Sequence, residues 1–220
     1  MKQQAIVFMV WFLLFGICRL SEPAMQEAGR PDTPQIVTIL KRLEGKMSGI
    51  KTLRTSFTQE KNLAVFDRKL ILKGTIFLQK PDLFAWHVKD PVRYSLLIKG
   101  GAVTQWDEES GKVQHISLAK NPGYQIVTRQ LQEWFSGTYT SLLEHYEVRV
   151  LNHDPVCLKF DPRKDALASK AITSVTVTFD KDERYIQTIS IQEKNGDGTL
   201  LTFTDTQLNI PIDARAWEVK

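Results

Sequence analysis

The sequence predicts an α+β fold that is mainly β: a single highly curved antiparallel sheet, an unclosed β-barrel of about 11 strands, with a long N-terminal helix and a short helical lid on the concave side. Three observations predict it. From Leu53 onward apolar and polar residues alternate over most of the chain, the period of half-buried strands. The breaks between successive runs in the first half are Lys80-Pro81-Asp82, Asp90-Pro91, Gly100-Gly101 and Glu108-Glu109-Ser110-Gly111. Gaps this short join antiparallel neighbours, because a parallel crossover needs about a dozen residues or more. Two other segments have helical spacing and carry apolar stripes that need a broad surface to cover.

Taken in order, the chain begins with Met1 and Lys2 and an apolar run from Ala5 to Cys18, followed by Arg19, Ser21, Glu22 and Pro23. The run is shorter than the roughly 20 residues that cross a bilayer, and it has the make-up of a signal-peptide core. Residues 1–24 are therefore expected to be a signal peptide, with the cleavage point between 18 and 28, and residues 25–220 a single exported domain. A lipidated Cys18 would need a small residue before it, and Ile17 stands there.

Pro34 occupies a first helical position with Asp32 or Thr33 as the cap, and Ile36, Ile39, Leu40, Leu43, Met47 and Ile50 follow at helical spacing up to Gly49. Leu53, Thr55, Phe57 and Gln59 then share one face of a strand. Further strands are expected at about 70–79, 83–88, 92–99, 102–107 and 112–117. Between Pro122 and Tyr146 the period returns to helical, with Ile126, Val127, Leu131, Trp134 and Phe135 on one stripe, Leu142, Leu143 and Tyr146 on another, and a break at Ser136-Gly137. Strands resume at about 146–151, 156–161, 172–179, 185–193 and 199–208, with hairpin turns at Lys181-Asp182-Glu183 and Asn195-Gly196-Asp197-Gly198, and a last strand is expected at Arg215 to Val219. A closed barrel with a filled interior accounts for the strands equally well, but it gives the helical stripes nothing to cover.

Composition narrows the function classes. Loss of the first 24 residues removes Lys2, Arg19 and Glu22 and leaves 27 basic and 24 acidic residues, a balance too even to suggest nucleic acid. Cys157 would then be the sole cysteine, so no internal disulfide is available, and a buried structural thiol is the expected role. His87, His115, His145 and His153 are scattered without metal-ligand spacing, and surface or pairing roles are expected for them. Neither a nucleophile elbow nor a phosphate-binding glycine loop occurs. No catalytic residue, metal or cofactor is expected. The unusual feature is the aromatic load of the strands and the helical insertion: Phe57, Phe77, Phe84, Trp86, Trp106, Trp134, Phe135, Tyr139, Phe179, Phe203 and Trp217. A well-filled core explains each one singly. Together with export and helices placed as a cover, they suggest an apolar guest site, with Phe57, Phe77, Phe84, Trp86 and Trp106 as its expected contacts.

These residues carry a family resemblance. Phe57-Thr58-Gln59, then Gly74, the apolar strand Ile76 to Leu78, Lys80-Pro81, Leu83-Phe84 and Trp86, then Gly100-Gly101 leading to Trp106, resemble the outer-membrane lipoprotein carrier (LolA) family over about residues 34–219. Close members carry Arg where this chain has Lys80, a point charge without the planar fork that could hold a lid helix through several donors. The resemblance implies a periplasmic, monomeric, non-enzymatic carrier that shields the acyl chains of lipoproteins or another envelope lipid between the inner and outer membranes. It implies an inner-membrane releasing complex and an outer-membrane acceptor as partners, and contact of Lys80, Ile126, Leu131, Trp134 and Phe135 with a lid or loop. A sensor that binds lipid or lipoprotein without transporting it, and an envelope hydrolase, are the competing readings.

Overall fold

The computed structural model describes residues 33–64, 68–121, 128 and 131–219. α1 (Thr33–Ser48) opens with Pro34 in its first turn, where a missing N–H is harmless, and its apolar stripe is buried throughout: Leu40 and Leu43 are 0% exposed and Met47 1%. The chain leaves the helix through Gly49. There Asn209 donates from Nδ2 to the Gly49 carbonyl at 3.1 Å and accepts the Lys51 N–H at 2.7 Å.

Eleven strands follow: β1 (Thr52–Leu63), β2 (Arg68–Gln79), β3 (Leu83–Asp90), β4 (Tyr94–Lys99), β5 (Ala102–Asp107), β6 (Val113–Ser117), β7 (Tyr146–His153), β8 (Val156–Pro162), β9 (Ile172–Phe179), β10 (Ile186–Glu193) and β11 (Gly198–Leu208). They form one sheet in the order β6-β5-β4-β3-β2-β1-β11-β10-β9-β8-β7, antiparallel at every step. The first half of the chain meanders outward from β1 to one edge, and the second half runs inward from the other edge until β11 pairs with β1. β6 and β7 remain unpaired with each other, so the barrel is unclosed.

Two details of the predicted elements differ. Arg215 to Val219 is not a strand: Ala214–Trp217 is a single 3₁₀ turn whose cap, Asp213, accepts the Arg215 N–H at 2.8 Å. The physical reason is that β11 already has β1 and β10 on its two sides, and Pro211 lacks an N–H for a ladder. Instead the segment crosses the back of β2 and β3. Cys157 is half-buried rather than buried, with the Thr178 hydroxyl 3.6 Å from its sulfur.

Gly74 shows why one position of the β2–β3 hairpin tolerates no side chain. It pairs with Phe57 on β1, and the ladder to β3 shifts register between Lys73 and Gly74. A Cβ there would collide with the His87 carbonyl and lie 2.7 Å from the edge of the Phe57 ring. The aromatic ring thus covers the glycine across the strands, a device that fixes register in curved sheets.

Candidate functional site

Strand register decides which side chains share a face. Phe57 pairs with Gly74, Ile76 with Trp86, Leu78 with Phe84, Phe84 with Ile98, and Phe57 with Phe203 on its other side, so all of these line the concave surface. Phe57 and Trp86 meet at 4.8 Å between ring centroids, and Phe84 and Trp86 at 6.4 Å. The helical segment 131–136 and the turn after it close over this surface. Phe135 sits 5.5 Å from both Phe84 and Phe203, Trp134 stacks edge-on against Phe160 at 4.8 Å, and Tyr139 against Phe179 at 5.3 Å. Phe84 is consequently 0% exposed and Phe57 2%, whereas Trp86 stays half-buried. Leu131 packs against the same core, and Ile126 lies outside the described residues.

α1 and the insertion are tied to each other at the helix C-terminus. Gly137, at φ +81, lies so close to Met47 that a Cβ would sit 2.5 Å from the Met47 Cβ. Glu44 accepts the backbone N–H and the hydroxyl of Thr140 at 2.6 and 2.8 Å. Lys80 reaches the same point from the β2–β3 turn and donates to the Met47 carbonyl at 3.0 Å, where a cation also complements the helix dipole. Burial pushes the Lys80 ammonium below its usual value. The Tyr139 phenol is pushed far up, first by complete burial and then by the nearby Glu44 carboxylate, and it donates to the Trp134 carbonyl at 3.3 Å. One junction of Lys80, Met47, Gly137 and Glu44–Thr140 thus fastens the cover to the sheet.

Phe77 and Trp106 are elsewhere. Phe77 pairs with Ala85, and Trp106 with Ser95, so both project from the convex back of the sheet, opposite to Phe57, Phe84 and Trp86. Strand alternation is the cause: grouping the five aromatics by type ignored that odd and even positions of β2 and β5 face opposite ways. On the back, Phe77 meets Trp217 at 6.4 Å, and His87 bridges the Ser95 hydroxyl at 2.9 Å and the Ala216 carbonyl at 2.8 Å. Because the carbonyl only accepts, Nε2 of His87 carries the proton, and Nδ1 is left to accept from Ser95.

Sequence reasoning missed one polar cluster at the end of the concave face. Lys61 and Glu193, each 2% exposed, pair at 2.8 Å, and Asp197 is 4.0 Å from the same ammonium. Asp197 also accepts the Ala64 N–H at 2.9 Å, which pins the β10–β11 turn to the end of β1. The signal was present in the alternation, since Lys61 continues the Phe57, Gln59 series and Glu193 the Ile189, Ile191 series. Among the described residues no group of His, Cys, Asp and Glu is placed to hold a metal, and no helix is long and apolar enough to cross a membrane.

The chain thus folds as an open eleven-stranded antiparallel sheet with an aromatic concave face under helices. Residues 48–220 match the family model described as outer membrane lipoprotein carrier protein LolA. The chain belongs to the LolA family. It is a divergent LolA-like chain: an outer-membrane lipoprotein carrier protein of Pseudoalteromonas translucida is 20% identical over 190 residues, covering 84% of this chain and 85% of the other. Among solved structures it is similar to a DUF1329 family protein from Desulfovibrio piger (TM-score 0.48, 9% identity, 86% of this chain and 98% of that one). It is also similar to a LolA superfamily protein from Nitrosomonas europaea (TM-score 0.44, 10% identity, 81% and 96%).

Proposed function

We propose that this LolA-like protein is a non-enzymatic periplasmic carrier, exported by residues 1–24, that shields the acyl chains of a lipoprotein or another envelope lipid on its concave face during transfer from the inner to the outer membrane. The observation that carries the proposal is Phe135, seated 5.5 Å from Phe84 on one side and from Phe203 on the other. The face that an acyl chain would occupy is filled by the protein's own insertion. Binding then becomes an exchange, with the chain replacing Phe135 and its neighbours against Phe57, Phe84 and Trp86. An acyl chain of about 15 methylenes offers about 12 kcal/mol on full burial. Returning the insertion to the sheet offsets part of this, so the cargo can leave again. Lys80, through its bond to Met47, would set how readily the cover opens.

The test is transfer of a fluorescent triacylated lipopeptide from donor to acceptor vesicles, with and without the protein. A carrier accelerates transfer, and Phe84→Glu, which places a charge on the apolar face, abolishes the acceleration. Binding without accelerated transfer would make the protein a sensor, and the carrier reading would then be wrong. A folded Phe84→Glu protein that still transfers would remove this face from the site.

A further inference from the structure

Behind the sheet, between β1–β5 and the C-terminal segment 210–218, lies a cavity of about 730 Å³ whose lining includes Phe77, His87 and Trp106. Four cations rim it. Arg93 is held by Glu108 at 3.2 Å and Arg215 by Asp213 at 3.1 Å. The other two, Arg54 and Lys89, have no ion pair among the described residues and are exposed, and the remaining carboxylate of the lining, Glu218, lies near enough to Arg215 to act on its charge. Rings below and spare positive charge above make a site of mixed character. We propose that this back-face cavity binds a small anionic ligand with a flat apolar body, its ring lying against the aromatic lining and its anion drawn to the unpaired cations Arg54 and Lys89.

The size favours a small molecule over a protein partner. About 730 Å³ falls within the roughly 300–1,000 Å³ of small-molecule pockets, while the backbone edges free to pair with another chain are β6 and β7, which border the sheet elsewhere. Stacking against an indole such as Trp106 suits a flat body better than a flexible alkyl chain. Arg54, Phe77, Lys89 and Trp106 belong to the back of the sheet and not to the concave face, so the site is independent of the carrier proposal.

Three probes test it by calorimetry on the intact protein: naphthalene-2-carboxylate, 2-naphthyl phosphate and the neutral 2-naphthylmethanol. At least one anion is expected to bind about tenfold more tightly than the alcohol, and the tighter anion identifies the headgroup preferred. The double variant Arg54→Glu/Lys89→Glu should lose about tenfold or more for that anion, whereas Lys99→Glu, an exposed charge outside the cavity, should change it by less than about twofold. Absence of binding at millimolar probe, equal affinity for anion and alcohol, or an unchanged affinity in the folded double variant would each overturn the proposal.

Discussion

The two faces of the same strands behave differently. β2 and β3 send Ile76, Leu78, Phe84 and Trp86 inward and Phe77 and His87 outward, and both sets include large rings. Inside, the cover is two helical elements fastened at Met47, and Phe57 and Phe84 vanish from solvent while Trp86 stays half-buried. Outside, the cover is nine residues of irregular chain, and a cavity remains beneath it. Aromatic content is therefore a poor guide to where a guest binds. What differs is the cover: a helix presents a continuous apolar stripe and fills the curve, whereas a narrow segment touches the sheet at Ala216 and Trp217 and leaves the flanks open.

The sharpest way to break this contrast is to truncate one ring on each face. Phe84→Ala should cost about 3–5 kcal/mol in urea denaturation, the range for a buried phenylalanine, whereas half-buried Phe77→Ala should cost about 1 kcal/mol, because part of its ring already faces water. Equal losses would mean that the C-terminal segment covers the back as completely as the helices cover the front. A second test concerns the polar end of the concave face. Lys61→Ala leaves the Glu193 carboxylate buried, with Oε2 already lacking a hydrogen-bond partner among the described residues, and should cost about 3–5 kcal/mol. The double variant Lys61→Met/Glu193→Leu should recover most of that. If both variants are equally unstable, the pair contributes through its link to Asp197 and the β10–β11 turn rather than through charge compensation.

The strand positions, the long helix and the helical insertion are legible because period-two and helical spacings follow directly from which side is buried, whereas the pairing of β11 with β1 is not. The family was legible in Gly74, where a Cβ would strike the His87 carbonyl, and in Phe57, whose ring covers that glycine. Face assignment was not. Alternation says that Phe77 and Phe84 oppose each other only once the β2–β3 register is known, and the register shift at Lys73/Gly74 depends on three-dimensional curvature. The end of the chain departs from its alternation for a related reason. Arg215 to Val219 alternates like a strand, but whether a strand forms depends on a free neighbouring edge, which is a property of the whole sheet. Lys61 was hidden by its chemistry, since a lysine in an alternating run is expected outside unless its partner, here 132 residues away, is known.

The smallest effect expected is also the one that separates the two faces by pH. Burial lowers the His87 pKa; the hydrogen bond to the Ala216 carbonyl opposes that lowering, and the nearby Lys89 charge adds to it. The docked C-terminal segment therefore holds a neutral imidazole, and when the segment lifts away, His87 regains water and an ordinary value near 6.5. Above about pH 6.5 neither form is protonated and docking is at full strength. As the pH falls below that value the undocked form takes up a proton that the docked form resists, and the docking free energy declines until the pH passes the lowered value. Amide hydrogen exchange at residues 214–218 should accordingly speed up relative to intrinsic rates between about pH 7.5 and pH 5, while protection of α1, on the concave side, stays constant. His87→Gln retains an N–H for the Ala216 carbonyl but cannot titrate, so the pH effect should vanish in that variant. The same acceleration in His87→Gln would assign the opening to another group, and parallel loosening of α1 would show that the two covers are coupled through the sheet.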